Sequence, residues 1–256
     1  MSELERVLAF IDLGYERTVE QLLPSRYGPV FVDTRMPLVH DLNFLRADIP
    51  DGATAAELAA EAERVQSAAP GVRHRRVNVR TEDELTRLEP EFAAMGWEPQ
   101  RFVLMVHRRM PDGRAELAVQ EVEEPAIRPL WAEAIRSQPH GQDETLVQQI
   151  LEHRRLALEA LPTRLFAVEV DGKLVAHAEL YSEGGIGQVE NVVTLPAYRG
   201  RGLARALVLH AVELSRRDGN ELTFLVADAD DWPQQLYERL GFETIGRYGR
   251  FLHTLP

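Results

Sequence analysis

The order of apolar and polar positions predicts alternating helices and strands. Leu4, Val7, Leu8 and Ile11 recur at helical spacing, which predicts a helix over Leu4–Leu23, broken at Pro24 to Gly28. Val30–Val32 and Leu38–Leu45 read as strands. Ala53–Ala68 reads as an alanine- and glutamate-rich helix capped at Thr54 or a neighbour, after a turn at Asp51-Gly52. Val72–Val79 is an arginine-rich strand, and Thr81 with Glu84 forms a capping box that opens a helix through Ala94. Phe102–His107 is a strand. Met110 to Arg114 then has turn composition between two strand-like segments and is the best linker. Beyond it come a strand over Leu117–Val122 and helices over Pro125–Ser137 and Asp143–Leu161. A hairpin follows, Leu165–Val170 and Leu174–Leu180, turned by Asp171-Gly172, the pair a type I′ turn requires. After Gly184-Gly185 comes a central strand, then helix Leu203–Arg217, strand Leu222–Val226, helix Trp232–Leu240, and final strands from Phe242.

One stretch carries more than structure. Val189 to Thr194 is a strand; Pro196 ends its ladder; Gly200 and Gly202 turn the chain into the helix at Leu203. The first N–H groups of a helix lack intrahelical acceptors and sit at its positive end, which suits phosphate. Arg199, Arg201 and Arg205 add positive charge. A dinucleotide fingerprint fails because Arg205 stands where Gly or Ala is needed, and no Walker sequence is present.

Composition narrows the options. The 256 residues suffice for two domains, and no apolar run is long enough to span a membrane. The mixed-charge N-terminus has no signal-peptide pattern, so a cytoplasmic protein is expected. Arginine greatly outnumbers lysine, which hints at a GC-rich bacterial genome. With a net charge of −12, nucleic acid and anionic membranes are not expected partners, and the acidic surface favours a cationic substrate. There is no cysteine, hence no disulfide and no thiol nucleophile. The histidines lack ligand spacing, so no metal is expected. His40 and Asp41, read as adjacent strand residues, point to opposite faces and would not cooperate. His74-Arg75-Arg76 reads as a solvated face, His210 as a core or semi-buried residue, and Trp131 and Trp232 as packing residues.

Arg199-Gly200-Arg201-Gly202-Leu203-Ala204 resembles the R/Q-x-x-G-x-G/A signature of the GNAT superfamily of N-acetyltransferases, and Tyr198-Arg199-Gly200 its Y-R-G. Asp230-x-x-Pro233-x-x-Leu236-Tyr237-x-x-Leu240-Gly241-Phe242 is similar to the family's N-x-x-A-x-x-L-Y-x-x-L-G-F, with Asp and Pro in place of Asn and Ala. Residues 88–98 echo 236–243 in their helix–Gly–aromatic–Glu ending. The resemblance implies an α/β (α+β) fold of two tandem GNAT-like domains, each a mostly antiparallel sheet flanked by helices. Residues 1–113 would be a degenerate copy, since Phe44 to Gly52 stands where a phosphate loop belongs; residues 114–256 would be catalytic.

The resemblance also implies acetyl-CoA as co-substrate, held by Val192, Val193, Thr194, Arg199, Gly200, Arg201, Gly202, Leu203 and Ala204, with Asp230 and Tyr237 nearby. A backbone N–H near Val193 or Thr194 would serve the oxyanion. Tyr237 would protonate the leaving thiolate, or merely pack its helix. Glu190 would deprotonate the amine through water, or be a strand residue facing solvent or paired with an arginine; His177 is the second candidate base. Without cysteine the expected transfer is direct, within a ternary complex, to a primary amine of a small molecule. A monomer or homodimer is expected. The alternatives are a catalytically silent CoA- or amine-binding sensor and a protein N-terminal acetyltransferase.

Overall fold

Ser2 opens helix α1 (Glu3–Thr18) through a reciprocal capping box with Glu5. The helix stops well short of Leu23. The chain becomes extended at Val19, and Gln21–Ser25 form β1, antiparallel to β2 (Gly28–Val32). Pro24 is tolerated there because β1 is an edge strand of the sheet. The strand expected over Leu38–Leu45 is also different: His40–Leu42 is a 3-10 turn, followed by the short β3 (Phe44–Arg46). Asn43 explains the change. Its amide donates to the carbonyls of Met36 and Val39, both at 3.2 Å, and its side-chain oxygen accepts the Asp33 N–H at 2.9 Å. These local bonds replace a ladder.

The remaining elements follow their patterns. They are α2 (Ala55–Gln66), β4 (His74–Val79), α3 (Glu82–Ala94), β5 (Glu98–His107), β6 (Gln120–Val122), α4 (Glu124–Arg136) and α5 (Glu144–Ala160). Then come β7 (Thr163–Val170), β8 (Lys173–Glu183), β9 (Ile186–Thr194), α6 (Leu203–Arg217), β10 (Leu222–Asp228), α7 (Pro233–Arg239) and β11 (Phe242–Thr254). Thr54 and Thr81 cap their helices as expected, Asp143 caps α5, and Asp171 and Gly172 hold the positive φ values of a type I′ turn. This computed structural model describes residues 1–48, 52–111, 117–230 and 233–255. Asp51 of the expected turn, residues 112–114 of the linker, the 113/114 boundary, and Asp231-Trp232 lie outside the described residues.

Among the described residues, eleven strands join one mixed, mostly antiparallel sheet in the order β1-β2-β3-β4-β11-β5-β10-β9-β8-β7-β6. The centre of that order interlocks the two halves of the chain. β11, the last strand, lies between β4 and β5, and β5 in turn lies against β10. The echoed endings sit at this interlock: α3–Gly96–β5 and α7–Gly241–β11 each carry a strand beside the other half's sheet, with Gly96 and Gly241 at positive φ. Helices α1, α4 and α5 cover one face. Phe10 of α1 meets Phe224 of β10 edge-on at 5.6 Å, and Trp131 of α4 meets His177 of β8 at 6.3 Å. Helices α2 and α3 cover the other face around Val77 and Phe251, and α6 packs there too, with His210 edge-on to Phe166.

Burial corrects the solvated reading of His74-Arg75-Arg76, all three of which are buried. β4 is a central strand with both faces covered. Arg75 pairs with Glu63 at 2.6 Å, and His74 Nε2 lies 2.9 Å from the Asn43 carbonyl oxygen. Trp131 is fully buried, as its packing role requires.

Phe251 on β11 is fully buried and stacks on Phe92 of α3 at 4.1 Å. Phe251→Ala should therefore cost about 3–5 kcal/mol. Because β11 is shared, calorimetric and far-ultraviolet circular dichroism transitions of the variant should still coincide; two resolved transitions would contradict the interlock.

Candidate active site

The site begins where two strands part. β9 and β10 are parallel neighbours only at Ile186–Leu222, Gly187–Thr223 and Gln188–Phe224. Beyond these pairs β9 continues against β8 alone and β10 against β5 alone. A bulge on β9 drives the separation: His177 pairs with Val193 and Glu179 with Glu190, so Asn191 and Val192 together face Ala178. Asn191 has φ of 51°, a left-handed value that asparagine tolerates better than most residues. The bulge bends its strand. Backbone N–H and C=O groups on the two facing edges are left without a ladder.

On the α1–α5 face the gap meets a cleft of about 590 Å³. Its walls come from α1, the 3-10 turn at His40–Leu42, α5, and β4, β5, β8, β9, β10 and β11. α1 and α5 close over it, joined by Arg17 donating to the Ala160 carbonyl at 3.2 Å.

Glu190 is half-buried at the inner end, where it accepts a 2.5 Å hydrogen bond from Gln188. Burial and then the charge of Glu179 push its carboxyl up to about 7. Glu179, opposite it on β8 and 1% exposed, is better served. It accepts from the Tyr181 hydroxyl at 2.5 Å, from Asn191 at 2.9 Å and from Arg154 at 3.2 Å. Burial and the Glu179 charge push the Tyr181 phenol far up, so it stays protonated.

The glycine turn sits at the end of β9. Gly200 and Gly202 have φ of 75° and 79°, and Gly202 is the N-cap of α6. Having no side chain, Gly202 caps nothing, and the first helical bond runs from Ala206 N–H to Gly202 O at 3.1 Å. The Leu203 and Ala204 N–H groups precede it and have no helical acceptor. Nothing lies within 4 Å of where a Gly200 Cβ would stand, so the loop's surface is open. Arg199 folds back onto the Thr194 carbonyl at 3.2 Å, and Arg201 lies 5.2 Å from the Tyr198 ring centre. Val192 and Val193 pack against the core. The Thr194 hydroxyl is buried with no partner among the described residues.

Tyr237 on α7 is 8% exposed and edge-on to Phe242. Burial and then the Glu190 charge push its phenol up to about 12. Asp230 is exposed, 3.8 Å from Arg101, in a turn where its N–H donates to Asp228 at 2.9 Å. His177 is fully buried, outside the cleft lining, and burial followed by the Arg154 charge holds it well below its ordinary value. Neither ring nitrogen has a partner among the described residues.

Several cleft residues escape a reading of the sequence. His40 and Asp41 both line the cleft, which corrects the opposite-faces inference: they sit in a 3-10 turn, where the two-residue period does not apply. Arg76, Arg154, Tyr181, Tyr248 and Arg250 join them. The available signal was Glu179 and Tyr181 alternating with His177, an unusually polar face for a central strand.

A model described as the acetyltransferase (GNAT) family matches residues 126–242. Glucosamine 6-phosphate N-acetyltransferase of Trypanosoma brucei brucei is 34% identical over 108 residues, 40% of this chain and 71% of that protein. Two solved structures align along almost the whole chain. A functionally unknown conserved protein from Staphylococcus epidermidis has a TM-score of 0.74 at 13% identity, covering 94% of this chain and 96% of its own. A GCN5-related N-acetyltransferase from Kribbella flavida has 0.65 at 20% identity, covering 98% and 95%. By class the protein is an acyltransferase. It belongs to the acetyltransferase (GNAT) family.

The raised Glu190 carboxyl has a signed consequence for stability. The native state keeps a proton that the unfolded chain releases from about its ordinary 4.5, so this group's contribution to stability falls as pH rises from 4.5 through about 7. Glu190→Gln should be more stable relative to wild type at about pH 8 than at about pH 5, read from denaturant midpoints. A difference independent of pH would remove the shift.

Proposed function

We propose that this enzyme transfers an acetyl group from acetyl-CoA directly to the primary amine of a small molecule, both substrates being bound at once. The observation that carries the reading is the gap between β9 and β10. It connects the open glycine turn of α6, at the end of β9, with the cleft holding Glu190. The fit to acetyl-CoA rests on this chain's own groups. The Leu203 and Ala204 N–H groups, beside Gly200, Gly202, Arg199 and Arg201, suit a pyrophosphate. The unladdered edge of Val192 to Thr194 offers backbone hydrogen bonds to the amide-bearing arm that leads to the thioester. Asp230, exposed and turned toward Arg101, is left at most a peripheral contact.

Glu190 takes the proton of the incoming ammonium through water; a carboxyl near 7 exchanges protons readily at neutral pH. A backbone N–H near Val193 or Thr194 receives the oxyanion as nitrogen attacks the carbonyl carbon. As the intermediate collapses, the C–S bond breaks and Tyr237, protonated throughout the working range, gives its proton to the thiolate; the second proton shed by the nitrogen restores the phenol through water. The chain has no cysteine to carry the acetyl group between two half-reactions. Residues 1–113 supply the outer wall of the acceptor cleft and residues 114–256 the acyl-transfer groups. The trypanosomal relative's name makes amino sugars the first acceptors to try.

Two measurements test this. Acetyl-CoA should raise the unfolding midpoint with concentration, and Gly202→Glu should abolish the rise, since it adds a negative side chain at a positive-φ cap. In steady-state kinetics Glu190→Gln should lower kcat by roughly 10²-fold and erase the acid limb of the rate profile near pH 7. Tyr237→Phe should lower kcat while leaving KM for acetyl-CoA nearly unchanged. Parallel-line initial-rate patterns would exclude direct transfer, and binding without turnover of any amine would leave a sensor.

A further inference from the structure

The end of the cleft opposite Glu190 has a charge balance that acetyl transfer to a plain amine does not require. Arg76 on β4 and Arg250 on β11 both donate to the same oxygen of Asp41, at 2.5 and 2.7 Å. Two guanidinium groups therefore share one carboxylate. Arg76 is 3% exposed in its side chain and Arg250 21%. Both line the cleft, as does Asp41. Burial works against the Asp41 charge, yet the two arginines hold its carboxyl well below the usual range, so it stays ionised. The neighbouring histidines are held neutral and leave that balance unchanged. Burial holds His40 and His153 below their ordinary value and His74 at about 3.

The two arginines are also held in place. Arg76 donates from Nε to Asn78 at 2.8 Å and lies 5.0 Å from the Phe44 ring centre. Arg250 donates from Nε to Gln100 and lies 4.9 Å from the Phe102 ring centre. That leaves the Nη2 group of each without an acceptor among the described residues. A buried excess cation is costly unless an anion completes it. Fixed guanidinium groups match the planar oxygens of a carboxylate or the oxygens of a phosphate.

We infer that the acceptor carries, besides its amine, a carboxylate or phosphate group, which Arg76 and Arg250 receive while the amine faces Glu190. This rests on the reading of Glu190 as the base of the proposed transfer, and it names the substrate class. β11 and β9 are three strand spacings apart, and by the strand register Arg250 lies four residues farther along than the level of Glu190, so the two backbones stand about 19 Å apart before the long side chains lean in. That span suits two groups on one small molecule. The inference reverses what net charge suggests: a chain of −12 presents a cationic wall at this end of its cleft.

The test uses binding, so it does not depend on turnover. Thermal midpoints of the wild type and of Arg250→Gln are measured with β-alanine, γ-aminobutyrate and phosphoethanolamine. The neutral counterparts are β-alaninamide, γ-aminobutyramide and ethanolamine. Arg250 is chosen because Arg76 is the more deeply buried and its replacement would cost more stability; an acetyl-CoA shift kept by Arg250→Gln reports that the variant is folded. Anionic members should raise the wild-type midpoint and neutral ones should not, with the rise lost in Arg250→Gln. Response to the carboxylates alone or to phosphoethanolamine alone would tell which anion is bound. Equal shifts within each pair, no shift with any anionic member, or a shift that survives Arg250→Gln would overturn the inference. If the anionic shifts hold but no anionic amine is acetylated, the subsite stands and the transfer reading falls.

Discussion

The structure depends on an unequal sharing of backbone hydrogen bonds between β9 and β10. Parallel neighbours normally pair along their length, because an unmet peptide group is costly in a dry interior. Here the pairing stops after three residues of each strand. The extra residue at Asn191–Val192 bends β9 away, and β10 runs on held only at its other edge, by β5. This local irregularity opens the sheet between its two helical layers. Glu190 lies on β9 at the edge of that opening, and the glycine turn of α6 follows at the far end of the same strand.

The partner that β10 finds is a strand from the other half of the chain. β5 fills the place beside β10, and β11 fills the place beside β4. The cleft under α1 and α5 therefore takes its floor from both halves. This arrangement brings Arg76 and Asp41, early in the chain, onto the same surface as Arg250 and Glu190. It also accounts for the burial of a strand as basic as His74-Arg75-Arg76: each side chain has a partner drawn from a distant segment, Asn43 for His74, Glu63 for Arg75 and Asp41 for Arg76.

Much of this was legible along the sequence, for physical reasons that differ by residue. The caps at Thr54 and Thr81, the Asp171-Gly172 turn and the Gly200–Gly202 entry to α6 follow from local chemistry, and local chemistry can be read locally. The shortened α1 and the 3-10 turn at His40–Leu42 were not legible. In each, a tertiary choice overrides an apolar pattern: pairing with β2 in one case, the bonds of Asn43 in the other. Asp41 was misjudged because its geometry depends on that turn. The arginine pair was invisible because Arg76 and Arg250 are 174 positions apart in number and meet only through the insertion of β11. Glu190 stood out by position, but its raised carboxyl comes from Glu179 and from burial, neither of which a strand pattern reveals.

The insertion of β11 also imposes an order in time. During synthesis β4 and β5 leave the ribosome long before β11 is made, yet they are not neighbours in the finished sheet. A nascent first half must leave its sheet unclosed across well over a hundred residues of further translation, or pair β4 with β5 directly and later undo it. Such an open sheet edge invites pairing with other chains. The interlock that assembles the cleft thus makes the growing chain a natural client for a holding chaperone until the shared strand arrives.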